Sequence, residues 1–327
     1  MINPDHIFNI KTEAEFTNLA LQVFRYQFDN NLVYRSFCDL LYKHPSDIKS
    51  IEGIPFLPIQ FFKSHKVLSD TKNTIKKTFT SSGTTGSKTS KHNITDLSIY
   101  EKSFTKGFND IYGAIEDYII LALLPSYLER DGSSLIYMVD SMIKQSKHPE
   151  SGFYLDNLKA LSSTLKRLDN EGKKVLLIGV SFALLDLIES YTFNLQNTII
   201  METGGMKGRR KELIREELHA ILKNGFGVTH IHSEYGMTEL LSQAYSIGNG
   251  LFNCPNWMQV ITRDPEDALS IQTTNKTGGI NVIDLANINS CSFIATQDLG
   301  RIFQDNSFEI IGRFDTSDIR GCNLMVL

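Results

Sequence analysis

Strand-like and helical patterns alternate along the middle of the chain, and this order restricts the fold more than any other feature of the sequence. Segments with helical spacing lie at 97–112, 133–144, 157–169, 181–190 and 209–222. They are separated by short apolar or β-branched runs, namely KKTFT, DYIILALL, KKVLLIGV, NTIIME and VTHIH. Such alternation builds parallel sheets joined by crossover helices. The sequence therefore predicts an α/β fold of mixed or parallel sheets with flanking helices.

The pattern changes near residue 258. Beyond it the helical spacing ends and short strand candidates remain, namely MQVIT, GINVID, CSFIA, GRIF and SFEII. Consecutive short strands favour an antiparallel sheet or a partial barrel. We therefore predict two units, an α/β core over 1–257 and a small antiparallel β subdomain over 258–327.

Two helices and an extended strip are predicted before the first of these strands. Residues 12–42 carry apolar side chains at helical spacing on both sides of Asn30 and Asn31, which predicts two amphipathic helices. The segment IPFLPIQFFKSH (54–65) holds two prolines among bulky apolar residues. Because proline interrupts helical hydrogen bonding, we predict that this segment is extended and packed.

Charge and composition exclude several classes of partner. The 327 residues have a net charge of -4 and no dense basic stripe, so we expect no binding to nucleic acid. No apolar stretch approaches the roughly 20 residues that span a bilayer, and the start lacks the pattern of a signal peptide, which predicts a cytoplasmic protein. The four cysteines form no CxxC pair, so we expect neither a zinc cluster nor a disulfide framework.

A loop rich in hydroxyl groups and glycine follows the first strand-like run of the core. In TSSGTTGSK (80–88), small residues let backbone N–H groups turn toward an anion, and the hydroxyls and lysine add donors. Gly86 is followed by Ser87 before the lysine, which differs from a Walker A loop. Taken alone, this composition is also typical of a polar surface loop. The candidate polyphosphate-binding residues are Ser81, Ser82, Gly83, Thr84, Thr85, Gly86 and Lys88.

The segment HSEYGMTELLSQ (232–243) carries residues that suit the rest of a nucleotide. Tyr235 offers a flat ring to stack on adenine, and Gly236 follows it. Thr238 offers a hydroxyl for the α-phosphate, and Glu239 offers a carboxylate for Mg²⁺. We predict that these residues bind ATP, with Glu239 as the metal ligand.

These segments resemble motifs of the adenylate-forming enzymes, the superfamily of acyl-CoA synthetases, luciferases and peptide-synthetase adenylation domains. The likeness lies in TSSGTTGSK and in YGMTE, and Ser87 stands where these families usually carry proline. The resemblance implies the large-domain fold of that superfamily and the use of ATP and Mg²⁺.

The resemblance also implies roles for four further residues. Gly204 and Gly205, in METGGMKGRR, would line the adenine pocket. Asp298, in ATQDLGRI, stands where the superfamily has an aspartate that binds both ribose hydroxyls. Arg313, at the start of a segment that resembles the superfamily's hinge, would reach the nucleotide.

The chain departs from these enzymes at its end. They usually continue past the hinge for another ~100 residues, the length of a small domain, and that swinging domain carries a lysine for the substrate carboxylate and the α-phosphate. Because the sequence stops at Leu327, we expect the swinging domain to be absent. Lys88, Lys91 and Lys207 are the candidates to replace its lysine.

Most of the chain resembles a shorter branch, the LuxE-type acyl-protein synthetases that supply bacterial luciferase with its aldehyde. The likeness runs through IPFLPIQFFKSH, the phosphate loop, YGMTEL and SDIRGCNLMVL. It implies a ligase that activates a fatty acid with ATP and holds it as a thioester on a cysteine near its own C-terminus. It also implies a partner that receives the acyl group, either an acyl-CoA-reductase-like subunit or an acyl-carrier protein.

Cys322 is the candidate acyl acceptor, because the neighbouring Arg320 favours the thiolate. A lone cysteine before Leu324 is equally typical of a buried apolar residue. Together with Cys322, the candidate catalytic residues are Thr84, Lys88 and Glu239.

The expected reaction has two steps. A carboxylate oxygen attacks the α-phosphorus of ATP, while Mg²⁺ and the loop donors stabilise the charge on the departing pyrophosphate. A thiolate then attacks the acyl-adenylate, and AMP leaves. Two alternatives remain open, an inactive or weakly active subunit that binds a nucleotide or acyl group, and an aryl- or acyl-CoA ligase. Retention of Glu239 and Asp298 favours an active enzyme.

Overall fold

The computed structural model describes residues 2–81, 88–124, 132–155, 157–204, 210 and 213–314. The helices of these ranges are α1 (Pro4–Ile7), α2 (Glu13–Asn30), α3 (Leu32–Leu40), α4 (Phe61–Ser64), α5 (Leu97–Tyr112), α6 (Ser134–Ser146), α7 (Leu158–Asn170), α8 (Ser181–Ser190) and α9 (Arg215–Phe226). The strands are β1 (Leu57–Pro58), β2 (Lys77–Thr80), β3 (Lys91–Ile94), β4 (Ile119–Leu123), β5 (Gly152–Phe153), β6 (Val175–Gly179), β7 (Thr198–Thr203), β8 (His232–Tyr235), β9 (Ala244–Ser246), β10 (Met258–Arg263), β11 (Thr277–Asp284), β12 (Phe293–Ile302) and β13 (Phe308–Arg313).

Six strands form the central sheet in the order β5-β4-β6-β7-β8-β9. All neighbours are parallel except β9, which runs antiparallel to β8. Every residue of β4 and β6 is buried, as expected for strands of a parallel sheet covered by helices. Because β4, β6, β7 and β8 run in one direction, their carboxyl ends share one edge of the sheet. The predicted α/β alternation is confirmed.

Two segments of that alternation differ from the sequence prediction. The run VTHIH (228–232) was expected to be a strand, but β8 begins only at His232, because its pairing with β7 starts at the Met201–His232 register. The helix expected over 209–222 is found as α9, which begins at Arg215.

The second sheet contains the predicted C-terminal strands together with one N-terminal strand. Strands β10 to β13 pair in antiparallel fashion. Strand β1 pairs in parallel with β12 on the side away from β11, with Leu57 opposite Ile294. The runs CSFIA and GRIF, expected to be separate strands, form the single strand β12, which accommodates a register shift between Leu299 and Gly300. The division at 257/258 stays a prediction.

The proline-containing strip adopts two conformations. Its first half is extended and contains β1, as predicted. Its second half is not extended, because Phe62 and Lys63 donate backbone hydrogen bonds to Ile59 and Gln60 and form α4. Both prolines precede this turn, so neither removes an N–H group that the helix needs.

The N-terminal helices are fastened to the turn before β12. Asn31 separates α2 from α3, as predicted, and its side chain caps α3 by accepting from the N–H of Tyr34. The buried amide of Gln27 donates to the carbonyls of Asn287 and Ile288, 3.0 Å away in each case. Residues far apart in sequence are therefore held together by buried polar contacts. Within the described ranges, no helix is both long and apolar enough to cross a membrane.

Candidate active site

Three of the predicted nucleotide-binding residues are in direct contact. Tyr235 ends β8 at the carboxyl edge of the central sheet, and its hydroxyl donates to Asp298 Oδ2 over 2.8 Å. Asp298 and Arg313 are register partners in β12 and β13, and Arg313 Nε lies 3.2 Å from Asp298 Oδ1. Because β8 belongs to the central sheet while β12 and β13 belong to the second sheet, the contact lies where the two sheets meet.

The electrostatics of this contact suit a buried carboxylate beside a cation. Burial raises the pKa of Asp298, while the positive charge of Arg313 and the hydrogen bond from Tyr235 oppose that shift. The side chain of Arg313 is 69% exposed, so its guanidinium remains open to a ligand. The ring of Tyr235 meets Phe308 edge-on, with the ring centroids 5.5 Å apart.

Glu239 lies beside the end of the β2–β3 hairpin. The residue is only 5% exposed, and burial raises the pKa of its carboxyl group. A hydrogen bond from the Ser90 side chain and the charges of Lys63 and Arg313 act in the opposite direction. Glu239 therefore shares its surroundings with the hairpin and with the arginine that contacts Asp298.

The hairpin carries the ends of the hydroxyl-rich loop. Strands β2 and β3 are antiparallel, and Ser81 and Ser90 extend their pairing, with the N–H of Ser90 donating to Ser81 Oγ over 2.9 Å. Lys88 is exposed. The structure thus brings both ends of the loop to the side of Glu239. Residues 82–87, which include the predicted Ser82, Gly83, Thr84, Thr85 and Gly86, lie outside the described ranges.

Two residues that the sequence reasoning missed hold the backbone of Thr238 and Glu239. His92 of β3 lies 2.8 Å through Nδ1 from the carbonyl oxygen of Thr238, so Nδ1 carries the hydrogen and donates. Asn287 Nδ2 donates to the carbonyl of Glu239 over 2.7 Å. Burial lowers the pKa of His92 to about 4, and the ring is therefore neutral at physiological pH. A single histidine after a loop carries no sequence signal for this role, because the contact joins elements distant in the chain.

The remaining predicted residues have different locations. Gly204 follows β7 with a φ of 71°, a conformation that suits glycine, and its carbonyl accepts from Ser181 Oγ over 2.7 Å. Gly236 is partly buried directly after Tyr235. Predicted positions outside the described ranges are Gly205, Lys207 and Cys322.

The cysteines that can be described are poor candidates for a reactive thiolate. Burial raises the pKa of Cys38 to about 12, and it also raises the pKa values of Cys254 and Cys291. Their thiol groups therefore stay protonated and unreactive near neutral pH.

Comparisons with known proteins give the family and its related ligases. The model of the family described as acyl-protein synthetase, LuxE, matches residues 7–327. The long-chain-fatty-acid–luciferin-component ligase of Vibrio harveyi is 22% identical, over 97% of this chain and 88% of its own length. The ligase of the same name from Aliivibrio fischeri is 24% identical, over 94% of this chain and 86% of its own length.

Solved structures share the fold. An open conformation of 2-hydroxyisobutyryl-CoA ligase, in complex with 2-HIB-AMP and CoA, has a TM-score of 0.66 and 12% identity, covering 93% of this chain and 70% of that one. ATP-bound MatB from Rhodopseudomonas palustris has a TM-score of 0.55 and 14% identity over 75% of this chain, which spans only 49% of MatB. The expected fold of the adenylate-forming ligases is thereby confirmed. With its family model matched from residue 7 to residue 327, the chain belongs to the LuxE family of acyl-protein synthetases.

Proposed function

We propose that this protein is an acid–thiol ligase that uses ATP to convert a carboxylic acid into an acyl-adenylate and then transfers the acyl group to a thiol. The observation that carries the proposal is the convergence of Tyr235, Asp298 and Arg313 with Glu239 beside the loop-bearing hairpin. The family membership and the names of the ligases from Vibrio harveyi and Aliivibrio fischeri support a fatty acid as the substrate class.

The proposed nucleotide site follows from the chemistry of these groups. Asp298 would accept the ribose hydroxyls, and Arg313 would neutralise charge beside them. The loop between β2 and β3 would provide backbone and hydroxyl donors for the phosphates, with Thr84 and Lys88 next to the reacting phosphorus. Tyr235 and Gly236 would face the base, with Gly204 and Gly205 across from them.

Glu239 is suited to act as the single protein ligand of a Mg²⁺ ion. Mg²⁺ is usually held by one or two carboxylates together with substrate phosphates, rather than by a cage of protein ligands. Among the described residues there is no group of three or more acidic, histidine or cysteine side chains that could form such a cage. A buried carboxylate with one hydroxyl neighbour fits the first arrangement, and Mg²⁺ there would neutralise charge on the phosphates.

The acyl acceptor and the partner extend the proposal. Cys38 and Cys291 are buried, Cys254 is partly buried, and the thiol pKa of each is raised, so Cys322 remains the candidate acceptor on this chain. An acyl-CoA-reductase-like subunit or an acyl-carrier protein would then take the acyl group. A reaction that consumes ATP also fits the cytoplasmic location expected from the sequence.

Acid-dependent exchange of pyrophosphate into ATP tests the first step. We expect exchange with the wild-type protein and a loss of at least 100-fold in Glu239→Gln, which corresponds to about 3 kcal/mol of transition-state stabilisation. Glu217→Gln, an exposed position on α9, is the matched control. Nucleotide binding without exchange for any acid would favour the alternative of a binding subunit.

A further inference from the structure

A cluster of buried polar side chains lies on the face of the central sheet opposite the Tyr235–Asp298 contact. Glu234 of β8 is in register with Thr203 of β7 and with Tyr245 of β9, so the three side chains share one face. Gln243 immediately precedes β9 and lies two residues before Tyr245, which is the spacing of side chains on one face of a strand. Thr203 Oγ1 donates to Glu234 Oε2 over 2.5 Å. All four residues are at least nine-tenths buried.

Two polar atoms of this cluster have no hydrogen-bond partner within the described part of the chain. Gln243 Oε1 and the hydroxyl of Tyr245 are buried and unpaired. Glu234 Oε2 accepts from Thr203, and its Oε1 lies against Gly236. A buried polar group without a partner costs about 1–3 kcal/mol. Such a cost at two atoms on one face of the sheet is expected where a ligand supplies the missing hydrogen bonds.

The cluster adjoins the segment that would meet the reacting phosphate. A Cβ atom added at Gly236 would clash with Glu234 Oε1 and would come within 3.3 Å of Gln243 Cγ. The carboxylate therefore lies directly against Gly236, two residues before Thr238. If the acid is activated beside Thr238 and Glu239, as proposed above, the carbon atoms next to its carboxyl group would pass this cluster.

The chemistry of the cluster selects a hydrogen-bond donor. The unpaired Gln243 Oε1 and the carboxylate oxygens of Glu234 are acceptors, and the Tyr245 hydroxyl can act in either direction. Burial, with an added contribution from the charge of Glu202, raises the pKa of Glu234 to about 7. An alkyl chain would offer no hydrogen bond to these oxygens and would leave Gln243 Oε1 unpaired, whereas a hydroxyl or amino group could donate to them.

We propose that this protein selects a carboxylic acid that carries a hydroxyl or amino group close to its carboxyl carbon, with Glu234 and Gln243 as the recognition residues. This inference rests on the proposed function. It narrows the substrate class, because a plain alkyl acid of the same length would be disfavoured.

The test measures kcat/KM for acid-dependent pyrophosphate exchange with matched acids. Butanoic and octanoic acids are compared with their 3-hydroxy and 3-amino derivatives, in the wild-type protein and in Glu234→Leu and Glu234→Gln. We expect the wild type to favour a substituted acid by at least 10-fold, corresponding to about 1.4 kcal/mol. Glu234→Leu should abolish this preference. Glu234→Gln, which keeps the shape and one acceptor oxygen, should retain it for the hydroxy acid and reduce it for the amino acid.

The outcomes separate this inference from the proposed function. Exchange that is equal or faster with the unsubstituted acids, and unaffected by Glu234→Leu, overturns the inference and leaves the ligase intact. If no acid supports exchange, the ligase proposal fails, and calorimetric binding of the same acids then decides the role of the cluster. Tighter binding of the substituted acids supports it, and equal or absent binding refutes it. Glu217→Gln is the charge-matched control, and the near-isosteric Gln variant keeps the test valid should the Leu variant not fold.

Discussion

Replacing His92 tests whether this buried ring holds the segment that contains Glu239. The ring joins the hairpin to the carbonyl of Thr238 and is fully buried. His92→Leu keeps an apolar side chain but leaves that carbonyl without a partner, which should lower the free energy of unfolding by about 1–3 kcal/mol near neutral pH. His92→Gln, which retains a donor, should lose less.

The same residue gives a pH dependence of defined sign. Burial lowers its pKa from 6.5 to about 4, so between these values the unfolded chain binds more protons than the folded one. The stability that depends on neutral His92 is therefore complete above pH 6.5 and is lost as the pH falls toward 4. At 1.36 kcal/mol per pKa unit, the loss amounts to about 3 kcal/mol.

Urea unfolding of the wild type and both variants, at several pH values from 4 to 7.5, separates the two effects. The difference in unfolding free energy, wild type minus variant, should fall by about 3 kcal/mol as the pH falls from 7 to 4, so that either variant becomes at least as stable as the wild type at pH 4. The two variants should differ from each other by an amount that does not vary with pH. A wild-type-to-variant difference that stays constant over this range would show that His92 does not titrate as a buried neutral ring.

Three further changes probe other parts of the molecule. Asp298→Asn removes the charge that faces Arg313 and should raise the KM for ATP by about 10–100-fold, measured by exchange at varied ATP. An unchanged KM would show that Asp298 does not bind the nucleotide. Gly300→Ala introduces a Cβ that overlaps the carbonyl oxygen of Glu309 on β13 and should lower the unfolding free energy by about 1–3 kcal/mol in urea titration. A variant as stable as the wild type would show that the backbone at the register shift between β12 and β13 relaxes without cost. Cys322→Ser should abolish retention of labelled acid on the protein while leaving exchange within about 2-fold of wild type; retained label would place the acceptor elsewhere.

Local patterns sufficed where an element carries its own signals. The helix expected over 97–112 is found at Leu97–Tyr112, because Asp96 caps its start and Gly113 ends it with a φ of 86°. The start of β8 could not be obtained in this way. The apolar run at 228–232 points to an earlier strand, whereas pairing with β7 sets the start at His232. A strand boundary set by its neighbour is invisible to local periodicity.

The same distinction applies to the site. Tyr235, Asp298 and Arg313 could be predicted because each stands in a motif with recognisable residue types, and the structure places them in contact. Their roles toward ATP remain predictions. His92 and Asn287 were missed, because they act through backbone carbonyls of a distant segment and no motif accompanies them. Residues that position a site through tertiary contacts can be recognised only after the fold is known.

The parallel pairing of β1 with β12 has a consequence for how the protein is made. Leu57 finds its neighbour Ile294 only after the ribosome has added more than two hundred further residues. Until then the amide of Gln27 and the apolar faces of the first helices lack the partners that bury them. Contacts of such long sequence separation form slowly, and the apolar surface that stays exposed in the meantime is prone to aggregation. The nascent chain should therefore depend on chaperones until β12, which carries Asp298, has emerged, and the proposed nucleotide site should be among the last regions to fold.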